Sequence, residues 1–114
     1  MESILTSIKK MLGPTAEYEY FDPDIIMHIN TVFMELNQLG VGPKEGFRIE
    51  DESTTWDEYI PEDDLHFEAV KTLIGLKVRL YFDPPGNSTQ LESITRSIDR
   101  LEWRLNAAAE EKDS

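Results

Sequence analysis

The chain has 114 residues, of which 39% are apolar and 30% charged, with a net charge of −12 and no cysteine. That length suits a single domain over 1–114 with a modest core. The composition excludes disulfides, thiol nucleophiles and cysteine zinc sites, and it argues against independent gripping of a phosphate backbone, which needs clustered Lys and Arg.

The first predicted element is a helix over 2–12, because Ile4, Leu5, Ile8, Met11 and Leu12 fall on one side at helical spacing. Gly13-Pro14 ends it. The start MESILTSIKKMLGP lacks a basic leader and a long apolar run, so no signal peptide is expected. The aromatic and acidic piece TAEYEYF reads as a loop.

Asp22-Pro23-Asp24 opens the second helix: Asp22 can cap, Pro23 has its φ preset, and Asp24 suits the positive end of the dipole. Ile25, Ile29, Val32, Leu36 and Leu39 form its stripe, widened by Ile26 and Phe33, and Gly40 stands at the C-terminal cap position. Met27 and Met34 lie off that stripe. They fill gaps in a broad buried face, or they form a second contact surface.

Between Gly40 and Pro61 the pattern changes. FRIE alternates, DEST can turn, and TWDEYI is β-prone, which predicts a small hairpin of 46–50 against 54–58 within an insertion of about 44–60. A lone ribbon is marginal in water, so it must lie on the helices or on another molecule. Eight carboxylates, including Glu50, Asp51, Glu52, Asp57 and Glu58, lie between 50 and 64 without one Lys or Arg. Their spacing does not fit a calcium-binding EF-hand loop. A solvated acidic face or a charged docking strip, with Trp56 beside it, remains.

Asp63 or Asp64 can cap a third helix running to Phe82. Its apolar residues, from Leu65 and Phe67 to Tyr81 and Phe82, point in nearly every direction, as in a helix enclosed by neighbours. At about 28 Å it is long enough to be the spine of the domain. Lys77 interrupts its apolar run, and nothing is long enough to span a bilayer. Gly75 costs about 1 kcal/mol relative to Ala unless a close neighbour needs the space. Pro84 stops the helix at Asp83, Pro85 and Gly86 turn the chain, and Asn87 can cap a last helix over about 88–109, leaving a flexible tail at about 107–114. Leu91, Ile94, Ile98, Leu101 and Leu105 form an a/d seam that packs on the spine. Trp103 points away from that seam, and Arg96, Arg100 and Arg104 flank the same outward face. That composition is typical of an interface. The alternative is that Trp103 lies under the hairpin or the first helix of its own subunit.

Catalysis has little support. His28 and His66 lack partners at metal-binding spacing, and there is no GxSxG, HExxH or phosphate-cradling loop. The expected class is therefore a non-enzymatic, mainly α, four-helix domain with a β-hairpin insertion between the second and third helices. It has no catalytic, cofactor or metal residues. The candidate contact residues are Trp103, Arg96, Arg100 and Arg104 on one side and Glu50, Asp51, Glu52, Trp56, Asp57 and Glu58 on the other. If these two sets meet between copies, the contact is head-to-tail and repeats into a ring when the rotation closes.

The segments ILTSIKKMLG, IMHINTVFMELNQLGVGP, TTWDEYIP and LKVRLYFDPPGNS…LEWRLN resemble small α-helical head–tail connector proteins of tailed bacteriophages, also called head-completion or adaptor proteins. The resemblance implies a structural virion protein, assembled in the bacterial cytoplasm. It implies a homo-oligomeric ring, commonly a dodecamer, under the portal protein. The ring extends the DNA channel and meets a tail-side connector or tail terminator protein. DNA would pass without sequence-specific binding, and no membrane is involved. The competing reading is an acidic phage-encoded binding module that mimics DNA or inhibits a host protein, which needs carboxylates spaced like phosphates.

Overall fold

Five helices are present in the computed structural model, which describes residues 2–113: α1 (Ile4–Leu12), α2 (Asp22–Gln38), α3 (Trp56–Tyr59), α4 (Phe67–Phe82) and α5 (Ser88–Asp113). Two 3₁₀ turns, Pro14–Ala16 and Glu19–Phe21, lead from α1 into α2. Helix α4 packs against α1, α2 and α5, as expected of a spine. Its face is buried through Phe67, Val70, Leu73, Ile74 and Val78. The α1–α4 crossing is close: a Cβ on Gly75 would meet the Met11 sulfur and require that flexible side chain to move. The radius of gyration is 13.9 Å, near the ~13 Å of a compact chain this long. Helix α5, ~39 Å at 1.5 Å per residue, accounts for most of the 43 Å long dimension.

The starts and stops follow the local chemistry. Ser3 caps α1 by accepting from the Thr6 amide at 3.2 Å. Asn87 caps α5 by accepting from the Thr89 and Gln90 amides at 2.8 and 3.1 Å. Asp22 departs from its expected role. It is the first residue of α2 rather than its cap, and its carboxylate pairs with Lys9 at 2.7 Å, tying α2 to α1.

The expected hairpin does not form, and no strand exists among the described residues. Two competing interactions explain this. Residues 47–50 have no regular structure, and the backbone partner of Ile49 is a side chain. The Asn30 amide donates to the Ile49 carbonyl at 3.0 Å and accepts the Ile49 N–H at 2.8 Å, as a neighbouring strand would. Two turns along the same helix, Asn37 donates to the Pro43 carbonyl at 2.9 Å. Two asparagines of α2 thus clamp the loop. Residues 54–56 do pair with an extended segment, but it is the N-terminus: Ile4 donates to the Thr54 carbonyl at 3.0 Å and Trp56 to the Glu2 carbonyl at 3.3 Å. The chain then turns into α3, because Glu58 accepts from the Thr55 amide at 2.8 Å in a capping box. That capping interaction outweighs the β-propensity of TWDEY.

Two further boundaries differ from expectation. Asp64 accepts from the His66 amide at 2.8 Å, which holds a turn, and α4 begins only at Phe67, leaving Leu65 outside the helix. Helix α5 continues through Asp113 rather than ending near Ala109, so 107–113 is helical where a flexible tail was expected. Ser114, the end of that expected tail, lies outside the described residues.

Candidate functional site

Helix α5 is locked against rotation about its own axis by apolar and polar contacts. Ile98 and Leu105 are buried on its inner side, with Ile94 and Leu101 packed against the core. Glu102 pairs with Lys77 of α4 at 3.0 Å, and Asn106 donates to the Leu39 carbonyl at 3.2 Å. Lys77 also pairs with Glu35 of α2 at 2.9 Å, and the Tyr81 hydroxyl donates to Glu35 at 2.9 Å. One buried ammonium thus joins α2, α4 and α5. Burial alone would push this amine's pKa down, but its hydrogen bonds to Glu35 and Glu102 and their negative charges outweigh that, so it is raised. Nothing in the sequence pairs these three residues in advance; the hint is a lysine set among Ile74, Leu76, Val78 and Leu80.

With α5 fixed in this way, its outer face is set. Trp103 is 73% exposed, so neither α1 nor the loop of its own subunit covers it. Arg96, Arg100 and Arg104 are exposed beside it. Arg96 is loosely paired with Glu92 at 3.5 Å, and Arg100 reaches Ser97 at 3.5 Å. The result is an aromatic and basic ridge on a rigid helix.

The acidic residues are arranged otherwise than the sequence pattern suggests. Glu50, Asp51, Glu52, Asp57 and Glu58 are exposed, but three of them serve their own backbone or neighbours. Asp51 accepts from Ser53, which lowers its pKa; Asp57 accepts from the Thr55 hydroxyl; Glu58 completes the capping box. Trp56 does not stand on the surface with them. It is fully buried, edge-on to Phe67 at 6.1 Å with Lys71 over its ring, and belongs to the core. The bridge to the N-terminus and the capping turn fold it inward.

Two other surfaces carry exposed apolar groups. Met27 and Met34 of α2 are more than half exposed beside Pro23, so they are not fillers of a buried face. A groove of about 470 Å³ opens between the end of α2, the turn before α4 and the C-terminal half of α5. Ile60, Val70, Leu105 and Ala108 line it, and Asp64 and Glu111 stand among them. At its edge Leu65 is 92% exposed, the highest value for a large apolar side chain among the described residues. The sequence pattern hides Leu65 because it counts as helix core unless the turn at Asp64 is recognised. Among the described residues no cluster of His, Asp and Glu could hold a metal ion, and no helix is long and apolar enough to cross a membrane.

The helical body thus presents a basic–aromatic ridge and an open groove on its surface. The chain belongs to the phage connector protein family, whose model matches residues 4–112. The resemblance seen in the sequence is thereby shown: this is a phage head–tail connector, a structural rather than enzymatic kind of protein. No curated protein and no solved structure matches the chain.

Proposed function

We propose that the protein is a ring-forming head–tail adaptor of the virion, docked under the portal, extending the DNA channel and presenting a surface to the next tail-side protein. The observation that carries this reading, beside the family match, is the Trp103 ridge. An exposed indole flanked by arginines, on a helix locked by a buried ion pair, is costly to leave in water and has the composition of a binding hot spot. The net charge of −12 supports a channel wall that does not hold DNA, since like charge lets the genome pass. The exposed carboxylates Glu50, Asp51, Glu52, Asp57 and Glu58 belong to an acidic contact surface in the same assembly.

The test is mass measurement of the protein with and without portal. The native chain forms a ring. Trp103→Ala, and separately the reversal of Arg96, Arg100 and Arg104 to Glu, abolish the ring while helical content by circular dichroism stays unchanged. Normal rings from both variants remove this ridge from the interface.

A further inference from the structure

The ridge needs a receiving surface, and the structure contains one that the acidic strip does not supply. We propose that the groove between α2, the turn at Leu65 and the end of α5 receives the Trp103 ridge of a neighbouring copy. The inference rests on the ring reading and names its contact.

Charge and apolar character point the same way. Among the described residues no Lys or Arg lines the groove, whereas Asp64 and Glu111 do, with His66 beside them. Its floor is aliphatic, and a volume of about 470 Å³ falls within the ~300–1,000 Å³ of ordinary binding pockets. That space takes an indole ring together with the aliphatic stem of an arginine. The incoming ridge offers one large aromatic side chain with arginines beside it, so the indole meets the aliphatic floor and a guanidinium group meets the Asp64 carboxylate at the rim. Leu65 then packs on the incoming helix, which explains an apolar side chain left almost wholly in water by the lone subunit. The exposed Met27 and Met34 face offers no comparable match, because Arg48 lines it.

The geometry also selects head-to-tail assembly. At 100° per residue, Leu105 and Ala108 stand about 160° and 140° round α5 from Trp103. The indole and the groove floor therefore face opposite sides of α5, while Arg104, about 40° from Ala108 and about 20° from Glu111, stands at the groove's own edge. A copy that fills its neighbour's groove keeps its own groove open for the next copy, so the contact propagates until the rotation closes.

The chain has no cysteine, so placed thiols report the contact directly. Leu65→Cys and Arg104→Cys, which keep Trp103, are combined in one chain, oxidised alone and on portal, and compared with each single variant. The double variant is expected to give a covalent ladder of multimers while the single variants remain uncrosslinked. In parallel, Leu65→Arg, at an exposed position outside any helix, is expected to raise the concentration for half-assembly about tenfold or more, with an unchanged melting temperature. Met27→Arg is expected to leave assembly unaltered. Rings of normal mass with no ladder, together with full assembly of Leu65→Arg, overturn the groove and leave the ring reading standing. Covalent dimers from Arg104→Cys alone place ridge against ridge and also overturn it. A chain that stays monomeric by mass with and without portal defeats the ring reading itself, and the groove inference falls with it.

Discussion

Replacing Lys77 by Met tests the buried ion cluster most directly. The Lys77 side chain is 7% exposed and lies 2.9 Å from Glu35 and 3.0 Å from Glu102. Met fills nearly the same volume, so the packing term is small and the effect is electrostatic. Removing one member of a fully buried pair costs about 3–5 kcal/mol. Here Glu35 and Glu102 are 30% and 27% exposed and can rotate toward water, which reduces the cost to about 2 kcal/mol. For a chain of this size that is a fall in Tm of about 8 °C. The triple variant Lys77→Met, Glu35→Gln, Glu102→Gln leaves no unpaired charge and is expected to recover most of the loss. Thermal melts at neutral pH measure both. A Tm for Lys77→Met within about 2 °C of the native chain, or a triple variant no better than the single one, refutes the reasoning. The pH dependence has a definite sign. The raised amine stabilises the fold fully below the ordinary lysine value of 10.5 and loses that contribution as pH climbs through its higher folded-state value. Tyr59, whose buried hydroxyl is also raised, weakens the fold in the same alkaline window. The comparison is therefore made in a Tyr59→Phe background, where Lys77→Met is expected to reduce the remaining alkaline loss and to leave the part due to Tyr81, whose hydroxyl is also raised by burial and by its hydrogen bond to Glu35.

Tyr59→Phe is informative by itself: the hydroxyl is buried with no hydrogen-bond partner, so its removal is expected to leave Tm unchanged or raise stability by up to ~1 kcal/mol. A loss above ~1 kcal/mol in denaturant titration contradicts that. Gly42→Ala is expected to cost about 1–3 kcal/mol, because Gly42 has φ +87° and a Cβ there would approach the Tyr59 ring to 2.7 Å; an unchanged unfolding midpoint rejects this. Glu58→Ala removes the acceptor of the capping box and is expected to cost about 1 kcal/mol. If Glu58 were only a solvated surface charge, the change would stay within about 0.5 kcal/mol.

The sequence displays the helices of this protein where periodicity and punctuation agree. The stripe of α2, the stop at Pro84 and the cap at Asn87 are visible because each depends on residues within one or two turns. The seam of α5 is visible too, and the outward direction of Trp103 follows from it by rotation. What the pattern misses depends on distant pairs. FRIE alternates like a strand, but its partner is the amide of Asn30 on another helix. TWDEY scores as strand, yet the Thr55–Glu58 spacing is a capping signal, and it places Trp56 in the core. Lys77, Glu35 and Glu102 stand far apart in sequence and meet only after three helices pack. The groove has the same origin: its walls come from three separate segments, and only Leu65 hints at it.

The two asparagines of α2 hold the loop through its main-chain atoms, the Ile49 amide and carbonyl and the Pro43 carbonyl, rather than through its side chains. Backbone atoms are the same in every residue except proline, so this fastening is indifferent to most of what the loop spells. Lys44, Glu45 and Arg48, all exposed, are therefore free to be rewritten without loosening the body beneath them. Such a segment can change its outward residues while the scaffold stays in register.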